Sequence, residues 1–213
     1  MTRMGAIAFT KSGKLEYSID ICKTTPKQLL SLVDKQVFDA LCETGCVNYG
    51  KKWACPPYSP SFIDFASGYN QLFIIYLRTD MNQYTYIKND YLMIKAANSI
   101  LKSRADRFLS GIATQYGRYI TTGSCRLCRP CKCKIGQKCA NPDRMTYSFE
   151  ALGINVSGVV ESYFQRPLLW YAPHCLPEYT SVVCGLLTNE TVTVDHFCTL
   201  YSEMCKQTLV DKN

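Results

Sequence analysis

The sequence predicts a domain of mixed helices and strands, α/β or α+β, built as a mixed sheet with flanking helices and a cysteine-rich metal-binding loop region. Three observations lead there. Strand-like apolar runs interleave with helical periodicities, eight of 13 cysteines are concentrated in two places, and 213 residues of 47% hydrophobic content can build an ordinary core without covalent staples. No internal repeat or linker interrupts the pattern. A single domain over 1–213 is therefore expected, with cysteine-rich segments at 42–58 and 123–142.

The first strand expected is 14–22, KLEYSIDIC, where apolar and polar residues alternate. Thr25 and Pro26 then open a helix as N-cap and first-turn proline. Leu29, Val33 and Val37 form one stripe of it, Leu30, Phe38 and Leu41 lie beside that stripe, and Gly45 supplies the stop. Cys42 falls in its last turn and Cys46 just beyond. An irregular, turn-rich segment over 48–61 holds Cys55-Pro56-Pro57. A short helix near 60–67 leads into the apolar run 72–77, which reads as a buried strand. Ile87, Tyr91, Ile94, Leu101, Phe108 and Ile112 recur by threes, fours and sevens, predicting a long helix from about 82 to 117. Beyond the cysteine-rich loop, 142–152 reads as a helix stopped by Gly153, and 154–160 and 180–187 as further strands.

Cysteine usage points to a compartment. The count is odd, and the start MTRMGAIAFTKSGKLEYS carries no apolar stretch before a small-residue cleavage site, which predicts a reducing cytoplasm rather than a secreted disulfide scaffold. No run of 18 apolar residues exists, so no membrane span is expected. Histidine is confined to His174 and His196, so a metal site must be mainly thiolate. That favours an iron–sulfur cluster or structural zinc over a histidine-rich catalytic zinc. The net charge of +7 is uneven: Arg126, Arg129, Lys132, Lys134, Lys138 and Arg144 face the single anion Asp143. Such a patch suits nucleic acid, an acidic partner or an anionic substrate, and it also compensates the negative charge of thiolates and a cluster.

The sharpest motif is Cys125-x2-Cys128-x2-Cys131, with Cys139 seven residues on and followed by Ala-Asn-Pro142. A cubane needs four thiolates converging on its corner irons from a short loop, and two-residue gaps let a tight turn offer successive sulfurs to different irons. Bacterial ferredoxins share this rhythm, although there the proline adjoins the last cysteine. A four-cysteine zinc site is the competing assignment, but zinc favours two knuckles a dozen or more residues apart. Cys133, two residues past Cys131, competes with it as a ligand, and the spacing selects Cys131. A second group, Cys42-x3-Cys46-x8-Cys55, sits at a helix end and in a loop dense with turn-forming and aromatic residues. Three cysteines there could hold a second cluster with its fourth iron open to a ligand, complete the first site, or remain free thiols.

Other candidates are weaker. Cys184, within VVCGLL, reads as core, and Cys22, Cys198 and Cys205 lack partners at ligand spacing. Cys175 beside His174 could form a ligand pair or a nucleophile with its base, but neighbouring side chains on extended backbone point apart. No phosphate loop, dinucleotide fingerprint or nucleophile elbow is present. Glu150 and Glu161 read as solvated or capping carboxylates before proton relays.

Two blocks, CVNYGKKWACPPY (46–58) and GSCRLCRPCKCKIGQKCANPDRMTYSFEALGINV (123–156), resemble a domain-of-unknown-function family of predicted metal-binding proteins from anaerobic bacteria and methanogenic archaea. In the second block the resemblance rests on Cys125, Cys128, Cys131, Cys139, Pro142, Ser148, Glu150, Ala151 and Gly153. It implies metal binding and an anaerobic host and names no reaction. Cys133, His174, Cys175 and Cys184 fall outside the shared pattern.

The functional expectation is an iron–sulfur protein that handles electrons or sulfur, with one [4Fe-4S] cluster or two. Cys125, Cys128, Cys131 and Cys139 hold the first, and Cys42, Cys46 and Cys55 are the candidates for the second. Its partners would be an electron-transfer protein or a small sulfur-containing substrate. A zinc module that meets nucleic acid or an acidic protein through the basic 125–144 segment is the alternative, ranked lower because few aromatics interleave with the cations. A carrier handing metal or cluster to other proteins is the third.

Overall fold

The computed structural model describes residues 1–10, 13–173 and 175–210, with side chains described as far as residue 206. Strand β1 (Thr2–Thr10) pairs antiparallel with β2 (Gly13–Thr24), placing Thr2 opposite Ile21 and Thr10 opposite Gly13. The sequence reading starts at β2 and misses β1, an edge strand in which Ala8 is the one fully buried residue.

The helix expected from Thr25 to Gly45 is two elements. Pro26–Leu32 is a 3-10 turn, with Gln28 Oε1 accepting the Thr25 backbone N–H at 3.2 Å. Val33 is then extended and bridges Ile154, and α1 (Lys35–Gly45) starts afresh with Asp34 capping the Val37 N–H. Pairing with the distant 153–155 segment wins over helix continuity: Asp34 N–H reaches Gly153 O at 2.8 Å and Asn155 N–H reaches Leu32 O at 2.9 Å. Gly153 is obligatory there, because its φ is +86° and a Cβ would lie 2.7 Å from Lys35 Cα.

Helix α2 (Phe62–Phe65) and strand β3 (Gln71–Asp80) follow as expected. The long helix begins later than its periodicity suggests. Met81–Tyr84 is a 3-10 turn, and α3 (Asp90–Tyr116) starts where Asn89 Oδ1 accepts the Leu92 N–H at 2.9 Å. Edge strand β4 (Arg118–Ile120) is too short to announce itself. The helix expected over 142–152 is two 3-10 turns, Pro142–Arg144 and Glu150–Leu152. The strand expected over 154–160 is the head of a helix, α4 (Val156–Phe164). Its β-branched valines read as strand, yet Val156, Val159, Val160 and Phe164 share one buried helical face, and Asn155 caps the Gly158 N–H at 3.0 Å. Strand β5 (Tyr179–Thr188) is as expected, and α5 (Val194–Val210) ends the described chain.

These strands form one sheet in the order β1-β2-β3-β5-β4. Its ladders are antiparallel throughout, which decides the fold class as α+β; the parallel pair Thr121–Ser148 is an isolated bridge. Both faces are covered. Phe73, Ile75 and Leu77 of β3, with Cys184 and Leu186 of β5, meet α3 and α5, whereas Leu72, Ile74 and Tyr76, with Leu187, meet α2, α4 and the 147–154 segment. This double burial explains why the central strands read as continuous apolar runs. Cys184 is part of this core, its thiol 3.6 Å from the Ile75 carbonyl. No helix among the described residues is long and apolar enough to cross a membrane.

Candidate metal centre

The cysteine loop is an excursion from the sheet edge. Just past β4, Thr121 N–H donates to Tyr147 O at 2.8 Å, and the Thr121 hydroxyl donates to Asp106 Oδ1 on α3 at 2.9 Å. Residues 122–146 therefore leave and return at one fixed stem. Within the loop a 3-10 turn, Lys132–Ile135, ends at Gly136 in the left-handed conformation.

Cys125, Cys128, Cys131 and Cys139 line a single cavity, together with Lys52, Trp53 and Asn141. Asn141 directs its backbone N–H at Cys139 Sγ (3.4 Å) and its side-chain amide at Cys128 Sγ (3.6 Å). Donors aimed at sulfur stabilise thiolate and tune whatever it ligates. Cys133 is excluded from this set: it is buried and turned toward the Gly50 carbonyl at 3.9 Å. The cavity they line is narrow, about 10 Å³.

The first cysteine segment is stitched to this loop. Lys52 Nζ donates to Ser124 Oγ at 2.7 Å and to Cys125 O at 3.3 Å, and Trp53 Nε1 donates to Gln137 O at 2.8 Å. Trp53 in turn packs on Tyr58, ring centres 4.7 Å apart. Successive turns shape the segment itself, including Gly50 N–H to Pro56 O at 2.9 Å and Cys55 N–H to Lys52 O at 3.1 Å.

Cys42, Cys46 and Cys55 share a neighbourhood. The Cys46 N–H closes α1 on Cys42 O at 3.0 Å. Burial raises the Cys55 pKa to about 12, and the Cys46, Cys42 and Cys125 thiols act in the same direction, against Lys52. Burial also raises Cys42, reinforced by Cys46, Glu150 and Asp39. Cys46 is exposed, Cys42 half-buried and Cys55 buried, so the group runs from surface to interior.

The six loop cations all face solvent, and among the described residues only Arg126 has a carboxylate within ion-pair distance, Asp106 Oδ2 at 3.7 Å. Among the described residues no group of three or more histidine, cysteine, aspartate or glutamate side chains is already arranged to hold a metal ion. The donor set nevertheless suits a thiolate-bound metal group: four cysteines around one cavity, amide donors on two of their sulfurs, and a cationic surround. Other sequence candidates lie apart. His196 accepts or donates to the Tyr116 hydroxyl at 2.6 Å, Cys198 is in the core, Cys205 approaches the Tyr17 hydroxyl at 3.7 Å, and Cys175 is exposed. His174 lies outside the described residues.

Sequence reasoning passed over Lys52, Trp53 and Asn141 as supporting groups. Their signal was position inside the two cysteine motifs, Lys-Trp-Ala-Cys55 and Cys139-Ala-Asn141-Pro.

An α+β domain with clustered thiols at one sheet edge is the frame of a metal-binding protein. A family model described as predicted metal-binding protein (DUF2284) matches residues 29–183, about three quarters of the chain, and the chain belongs to that family. The matched span includes both cysteine groups and ends within β5. No curated protein and no solved structure matches it.

Proposed function

We propose that this protein is an iron–sulfur protein in which Cys125, Cys128, Cys131 and Cys139 hold a [4Fe-4S] cluster, and Cys42, Cys46 and Cys55 hold a second cluster through three irons. The observation that carries this reading is the single cavity lined by the four loop cysteines, two of whose sulfurs receive amide N–H groups. The Cys-x2-Cys-x2-Cys rhythm and the shortage of histidine support iron–sulfur over zinc. Bound there, such clusters supply one-electron transfer, and at an open iron a site for a sulfur ligand. The chain's own contribution is to fix the loop at Thr121, hold it to the first segment through Lys52 and Trp53, and direct Asn141 at the sulfurs. The exposed cations suit an acidic electron-transfer partner in the cytoplasm.

Purification without oxygen, followed by iron, acid-labile sulfide and zinc analysis, tests the proposal. Roughly eight irons and eight sulfides per chain with a broad brown absorbance are expected from two cubanes. A colourless protein with stoichiometric zinc would end it.

The exposed cations favour a second reading, in which zinc fixes the loop so that Arg126, Arg129 and Lys132 meet nucleic acid. Salt-dependent retention on nucleic acid, lost when the three are replaced together, is its signature.

A further inference from the structure

Strand β1 closes one end of the sheet, and among the described residues the backbone of residues 2–8 is hydrogen-bonded to β2 alone. Natural sheets blunt such an edge with a very short strand, lysine, proline or a bulge. Thr2–Thr10 uses none of these. Its nine residues pair with β2 without interruption, and its single charge, Arg3, is bonded at 2.6 Å to the buried carboxylate of Asp20. On one face Met4, Ala6 and Ala8 belong to the core that α3 and α5 cover, whereas Arg3, Gly5 and Ile7 on the other are exposed, Ile7 by 45%. Glycine inside a strand weakens it and marks places where a ligand or another backbone comes close. A Cβ on Gly5 would meet nothing within 4 Å.

The order of residues along β1 complements itself about Ala6. Turned antiparallel against a second copy centred there, Gly5 faces Ile7 and Met4 faces Ala8, so on either face a bulky aliphatic side chain meets a small one. Thr2 then faces Thr10, and Arg3 faces Phe9, a cation beside an aromatic ring. The charge balanced by Asp20 brings little repulsion to this edge. The cations of the cysteine loop lie beyond β4, at the other end of the sheet, about nine strand spacings or roughly 40 Å from their counterparts. A strand of another protein would also satisfy the edge, but the match about Ala6 selects a second copy, because a two-fold axis requires one strand to complement itself.

We infer that two copies of this chain pair antiparallel through β1, about a two-fold axis at Ala6. Two five-stranded sheets then form one of ten strands, with a cysteine loop at each far end, open to its own partner. The inference stands whichever metal the cysteines hold.

Sedimentation equilibrium of the full, metal-replete chain, paired with hydrogen–deuterium exchange across β1, tests it. The mass should approach twice that of one chain by about 100 µM, and amides of residues 2–8 should exchange several-fold more slowly there than at about 1 µM. Gly5→Lys with Ile7→Lys places lysines directly opposite one another twice across the axis, at two positions that are open in the single chain. This variant should associate at least about tenfold more weakly, at unchanged metal content and far-UV circular dichroism. Gly5→Glu with Ile7→Lys places opposite charges there and should recover much of that loss. If the double-lysine variant fails to fold, Ile7→Lys alone carries the test, with a several-fold loss expected. A wild type that stays monomeric at about 100 µM overturns the inference. So does a dimer whose β1 amides exchange as fast as the monomer's, or one that the lysines leave intact.

Discussion

The sheet and the cysteine edge of this molecule are held by different forces. Strands β3 and β5 bury apolar side chains on both faces, and Phe73, Ile74, Cys184 and Leu186 have no exposed surface at all. In the 122–146 loop, Cys133 alone of the 125–139 residues is buried, regular structure is limited to short 3-10 turns, and the ties to the body are a few polar bonds. Apolar burial stabilises the first region at roughly 25 cal/mol per Å² whether or not metal is present. The second has too little burial to order itself that way, so metal–thiolate bonds would supply much of its stability. The comparison teaches that fold and site can fail separately.

The largest effect expected is on the metal. Cys128→Ser removes a proposed cluster ligand and should cut iron per chain by roughly half, from two cubanes to one, while far-UV circular dichroism of the sheet and helices persists. Loss of the whole fold instead would show that the loop is part of the core. Phe73→Ala should do the converse. A buried aromatic cut to alanine costs about 3–5 kcal/mol, which in a domain of this size lowers the melting temperature by about 10 °C, at unchanged iron content below the transition.

An intermediate effect is expected at the seam between the cysteine segments. Lys52→Met deletes the bonds to Ser124 and Cys125 O, and should weaken metal retention against a chelator about 10–100-fold with little change in melting of the body. The smallest effect lies on the far side of the sheet. There Tyr17 and Tyr201 share a 2.8 Å hydrogen bond, and burial pushes both phenols well above the ordinary tyrosine value. In that range the unfolded chain loses phenolic protons that the folded chain keeps. Their contribution is therefore complete below about pH 10 and lost as pH rises beyond it. Tyr17→Phe should cost about 1–2 kcal/mol at neutral pH and flatten the alkaline decline, read by melting between pH 8 and 11, without altering iron content.

How much was legible follows the same division. The β3 and β5 runs declare themselves because burial on both faces leaves no polar alternation to interpret, and the cysteine rhythm is visible because its information lies within fifteen residues. What local pattern could not supply was partnership across the chain. Val33 leaves the helical path to bridge Ile154, 121 residues on, and Ile154–Val160 reads as strand until Asn155 and the buried face of α4 are seen. Lys52 meets Ser124 across 72 residues and Trp53 meets Gln137 across 84, contacts that no spacing rule encodes. Spacing favours Cys131 over Cys133, and in the structure Cys131 lines the cavity whereas Cys133 faces the Gly50 carbonyl.

Electron paramagnetic resonance of the dithionite-reduced, anaerobically purified protein tests the central claim most directly. The account predicts low-temperature signals from reduced cubanes that integrate to as many as about two spins per chain and fall to about one in Cys128→Ser. A spectrum without signal from a protein carrying one zinc per chain would contradict it.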